Sequence, residues 1–181
     1  MRLSTGVELA TLAGATQAWA FVRSMSKPYG PDLRIAVIAG DEATIARVEA
    51  SVRTGSGWVS TLLQRLALQL WTRPEAAASV AHAARVYDTR RTQLISELAG
   101  HGITATGTTG LNVWVPVADE ATTTAALYQQ GWAVAPGSRF RQASPPGIRI
   151  TVSALDQDSI PRLGADLAQA VTGRTTTSYS T

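Results

Sequence analysis

Cysteine is absent from the 181 residues, which excludes disulfides and thiolate metal sites and leaves the redox compartment open. Histidine occurs only as His82 and His101. The two lie far apart without carboxylates at ligand spacing, so no metal site is expected. No apolar run is long enough to span a bilayer. Residues Met1 to Phe21 imitate an export leader, with Arg2, an apolar middle and Ala18-Trp19-Ala20, but Glu8 and Gln17 interrupt that middle, so export is rejected and a cytoplasmic protein is expected. There is also no basic block. The net charge of +3 is spread along the chain, with Arg90-Arg91 the only adjacent pair, read as a solvated helix face. Charge by itself therefore gives no argument for nucleic acid.

The scarcest chemistry is the primary amine. Lys27 is the only lysine, and every other fixed positive side chain is arginine. A guanidinium stays protonated, whereas an amine can lose its proton and attack a carbonyl to form a Schiff base. The neighbours of Lys27 read as an anion cradle. Ser24 and Ser26 supply hydroxyl donors, the Gly30-Pro31 turn is expected to bare backbone amides, and Arg34 offers a planar fork suited to phosphate. If the segment runs strand, loop, strand, Ser24 and Ser26 share a face and Arg34 returns beside them.

Trp19 to Val22 and Leu33 to Ala39 read as buried strands of a helix-covered sheet, the edge of an α/β domain. Helices follow through Ile45, Val48 and Val52 after Asp41-Glu42, through Leu62, Leu63, Leu66 and Leu70, and from Pro74 to Gly100-His101-Gly102. Alternation of Leu111, Val113, Val115 and Val117 marks a strand, Asp119 caps a helix ending near Gly131, and Trp132 to Ala135 reads as another strand. Ile148, Ile150 and Val152 alternate with Arg149, Thr151 and Ser153, so Arg149 faces away from the core. It is either a solvated edge-strand arginine or a fork for a carboxylate. A last helix runs through Leu163, Leu167 and Val171, and the Ser/Thr-rich tail is expected to be disordered.

Ser24-x-Ser26-Lys27, followed by Gly30-Pro31-Asp32-Leu33-Arg34 and an apolar strand to Ile38, resembles the lysine-attachment segment of class I/II (fold type I) pyridoxal-phosphate (PLP) aminotransferases. It is most similar to the aminotransferase-like domain of MocR-type members of the GntR regulators. Gly57-Trp58 with Leu62-Leu63-Gln64 resembles the helix after the cofactor strand, and Val134 to Phe140 resembles the loop lining the active site. The likeness covers about Trp19 to Thr172. It implies that Lys27 holds PLP as a Schiff base, that Ser24, Ser26 and Arg34 bind the cofactor at its phosphate, and that Arg149 binds the substrate carboxylate. Pro31 and Asp32 depart from the enzymes' pattern and favour the regulator-like branch.

The implied fold is α/β: residues 1–74 the C-terminal portion of the PLP-binding large domain with interdomain helices, 75–173 the small C-terminal α+β domain, and 174–181 a disordered tail. The aspartate for the pyridine nitrogen and the aromatic that stacks on the ring cannot be located before Lys27, so the chain is expected to be a truncated second half. Three functions follow from the resemblance. One is an aminotransferase acting on an amino acid and a 2-oxo acid. Another is a PLP and amino-compound sensor that reaches DNA only through an upstream winged-helix domain, and the last is a non-catalytic remnant. A homodimer is the implied assembly.

Overall fold

A computed structural model describes residues 13–172. The expected tail at 174–181 lies outside the described residues. These divide into two compact units, 13–82 and 83–172. The division falls within one long helix, α4 (Pro74–Gly100).

In the first unit, β1 (Ala20–Ser24) pairs antiparallel with β2 (Ala36–Gly40), Ala20 opposite Gly40 and Ser24 opposite Ala36. A four-residue helix, α1 (Ser26–Tyr29), sits at the end of this hairpin. Asp41 opens α2 (Glu42–Thr54): its carboxylate accepts from the Thr44 amide at 3.0 Å and from the Trp19 amide at 2.8 Å, so one side chain caps the helix and ties it to β1. Ser60 caps α3 (Thr61–Thr72) through the Leu63 amide. The core of this unit is small: Met25, Leu33, Ile35 and Ala67, with Tyr29, Leu63 and Leu70 packed against it.

Two expectations are corrected here. The strands are not buried; Val22 is 60% exposed and Phe21 42%. Two strands cannot shield their own faces, and among the described residues this unit supplies no third strand to the sheet. The second strand also starts late. Leu33 to Ile35 turn inward through tight backbone bonds, with the Arg34 amide on the Asp32 carbonyl and the Ile35 amide on the Leu33 carbonyl, both at 2.9 Å. Their apolar side chains serve the small core rather than a ladder.

The second unit is built on β3 (Asn112–Pro116), α5 (Glu120–Gln129), β4 (Ala135–Pro136), β5 (Gly147–Thr151) and α6 (Ile160–Thr172). The sheet order is β3-β5-β4, antiparallel throughout. Val113, Val115, Ile148 and Ile150 point to one face. There they meet Leu94 and Leu98 of α4, Leu127 of α5, and Leu163 and Leu167 of α6 in one continuous core. Trp132 to Val134 do not extend β4 as expected. The Trp132 amide closes the end of α5 on the Leu127 carbonyl, and its indole donates to Asp166 at 2.7 Å. Arg90 and Arg91 are likewise not a solvated face. Arg90 donates to the Ser153 carbonyl at 2.6 Å, while buried Arg91 donates to the Gly110 carbonyl at 2.9 Å and pairs with Asp88 at 2.6 Å. Both arginines satisfy carbonyls at the ends of strand segments, which a buried backbone demands.

Candidate functional site

Lys27 lies on the exposed surface of the first unit, in the single turn of α1 at the tip of the β1–β2 hairpin. The ladder continues one pair past the strands through the Met25 amide on the Ile35 carbonyl at 2.9 Å, which brings the chain on either side of Lys27 and Arg34 together. Lys27 and Arg34 are both exposed and, among the described residues, neither side chain has a hydrogen bond or ion pair. Two uncompensated cations at one hairpin end favour an anion.

The cradle around them differs from its expected form. The strand ends at Ser24, and Ser26 begins a helical turn, so the two serines do not alternate along one strand. The Ser26 hydroxyl donates to the Leu33 carbonyl at 2.7 Å, which commits its proton to closing the hairpin. The Ser24 hydroxyl accepts from the Ser26 amide at 3.3 Å and keeps its own proton to give. The Gly30 amide donates to the Ser26 carbonyl, and those of Leu33 and Arg34 to Gly30 and Asp32, so the turn does not bare these amides. Lys27, Arg34 and Ser24 fit the phosphate-bearing aldehyde that the sequence pointed to. Ser26 shapes the turn.

Arg149 belongs to the second unit. It is the middle residue of the central strand β5, opposite Trp114 of β3 and Ala135 of β4. Directly opposed residues share a face, so Trp114, Arg149 and Ala135 form a row on the side away from the core, as the alternation required. The guanidinium carbon lies 3.6 Å from the centroid of the Phe140 ring, a cation–π stack. Its Nε is buried and has no hydrogen-bond partner. An unmet buried donor costs about 1–3 kcal/mol, and an acceptor that reached Nε would remove that cost.

No spacing or motif marks Glu120, the first residue of α5. Its side chain is only 10% exposed and accepts three bonds from the loop 137–147: the Ser138 amide at 2.6 Å, Arg141 Nε at 2.7 Å and the Gly147 amide at 3.1 Å. Burial pushes the Glu120 carboxyl up, but the Arg141 guanidinium and the amides of Gly147 and Ser138 outweigh it and hold the group at about 2. Its position after Asp119 marks it only as a favourable first-turn acid; its partners arrive about twenty residues later. Gly147 is required here by close approach, because a methyl group on it would sit 2.5 Å from the Trp114 ring.

No protein-family model matches the chain. Solved structures that share its fold include an aspartate aminotransferase variant from Thermus thermophilus, with a TM-score of 0.80 and 22% identity over 93% of this chain and 45% of that one, and a Pyrococcus horikoshii kynurenine aminotransferase, with a TM-score of 0.76 and 19% identity over 87% and 41%. The chain therefore has the fold of part of a fold type I aminotransferase. In sequence it is 39% identical, over 162 residues, to the vitamin B6 salvage pathway transcriptional repressor PtsJ of Salmonella typhimurium (strain LT2), a match spanning 88% of this chain and 38% of that relative. The chain is thus similar to part of that regulator, and spans less than half the length of the proteins it matches.

Proposed function

We propose that the chain is the lysine-bearing and carboxylate-binding half of a PLP-dependent aminotransferase-type domain. On this reading the unit ending at α4 belongs to the large domain, and the α+β unit is the small domain. The observation that carries it is the pairing of an exposed sole lysine with a free Arg34 at one hairpin tip, in a chain whose fold is that of aminotransferases. Lys27 Nζ supplies the amine for the cofactor's aldehyde carbon and, as a free amine, a base for the proton on the substrate's Cα. Arg34 and the Ser24 hydroxyl bind the phosphate, with Ser26 holding the turn. Arg149 orients the carboxylate of an amino acid. The bound cofactor supplies an electron sink next to that Cα. Amino acids and 2-oxo acids are the proposed reactants, with a homodimer in the cytoplasm as the setting.

The 39% sequence identity to part of a transcriptional repressor favours a second reading, in which the same residues bind cofactor and amino compound and the output is a change in DNA affinity of a domain elsewhere in a longer protein. Reduction with borohydride after incubation with PLP tests the shared part: the label is expected on the peptide containing Lys27, and undiminished covalent capture by Lys27→Ala would refute it. Spectral conversion to the pyridoxamine form on adding amino acids is expected for transfer, and its absence in a protein that does bind the cofactor favours sensing.

A further inference from the structure

Glu120 holds both ends of one loop. Ser138 at its entrance and Gly147 at its exit donate their amides to the two oxygens of one carboxylate, and Arg141 between them donates its Nε. Phe140 lies between these anchor points. Its ring is 46% exposed, so it is not held by burial in the core, yet it stacks on the Arg149 guanidinium at 3.6 Å. Contact at that distance persists only while the loop backbone that carries Phe140 stays in place. The contacts that fix it converge on Glu120, and three charge-assisted bonds on one side chain are the strong kind. Arg149 itself has no acceptor among the described residues to set its orientation.

We infer that Glu120 is a positioning residue for Arg149, acting through the loop it clamps and the Phe140 ring to hold the guanidinium edge-on toward an incoming carboxylate. This rests on the proposed role of Arg149. The clamp works at a distance: Glu120 touches neither Arg149 nor a ligand of it, and its effect is to remove rotamers of Arg149 that do not present the fork. Phe140 lies against the guanidinium, and bidentate contact with a carboxylate uses the N–H donors on the guanidinium edge.

The test uses the full chain and two readouts. The Nε–H resonance of Arg149, assigned by its loss in Arg149→Lys, is expected to show an upfield ring-current shift in the unmodified protein. Phe140→Leu and Glu120→Ala should both abolish that shift, and Glu120→Gln, which keeps one acceptor, should retain part of it. The second readout is the affinity for N-(5′-phosphopyridoxyl)-L-leucine relative to pyridoxamine 5′-phosphate, a ratio that isolates the carboxylate contact. It is expected to fall about three- to tenfold in Glu120→Ala and Phe140→Leu, the range of one cation–π contact converted to binding, with pyridoxamine 5′-phosphate affinity unchanged. A Glu120→Ala protein that keeps the ring-current shift overturns the inference whatever binds. A ratio unaffected by Arg149→Ala instead overturns the carboxylate role of Arg149, a separate failure that the resonance does not share.

Discussion

At the scale of single residues, charge that lacks a partner marks the proposed functional positions, and charge that has one holds the scaffold. Arg34 has no ion pair among the described residues, so Arg34→Ala is expected to leave folding intact and weaken PLP binding by about 1.5–3 kcal/mol, the contribution of a bond to a charged group. Equilibrium titration followed by cofactor absorbance measures this, and unchanged affinity would remove Arg34 from the phosphate site. Glu120 behaves oppositely. Its folded value of about 2 lies below its ordinary 4.5, so its contribution to stability is present in full above about 4.5 and is lost as the pH falls toward 2. Acid unfolding followed by circular dichroism should show this loss in the unmodified protein and a flatter profile in Glu120→Gln. Gly147→Ala is expected to cost about 1–3 kcal/mol by overpacking against Trp114; a chemical denaturation midpoint equal to that of the unmodified chain would contradict the contact.

Elements show how far pattern alone carries. Helices α2, α3, α4, α5 and α6 were legible because apolar spacing, the Asp41 and Asp119 caps and the Gly100-His101-Gly102 stop are all local signals. Asp119 accepts from the Thr122 amide at 3.0 Å and its hydroxyl at 2.9 Å, and Asp119→Ala should cost about 1 kcal/mol, measurable as a lower denaturation midpoint. The orientation of Arg149 was legible for the same reason, since alternation along β5 assigns faces whatever the strand's neighbours are. Burial of β1 and β2 was misjudged because an apolar run states what a strand needs and not whether other strands are present to cover it. The committed hydroxyl of Ser26 and the clamp on Glu120 were invisible because each depends on a backbone group seven or more residues away, whose approach no spacing rule encodes.

For the whole molecule, the two units differ in how much apolar surface they enclose. One buries four core residues and leaves Trp58, Leu62 and Leu68 more than half exposed; the other gathers fourteen buried residues in one cluster. Stability follows such contact density. Native-state hydrogen exchange is expected to protect the amides of β3, β5 and α6 more strongly than those of β1 and β2, and equal protection would show that cluster size does not govern stability here. The sheet order β3-β5-β4 has a temporal consequence as well. The central strand is the last of the three to leave the ribosome, so β3, apart from its single bridge between Trp114 and Thr106, and β4 must wait for residues 147–151 before their ladders can close. Nascent chains that stall before that point present two unpaired edges to chaperones.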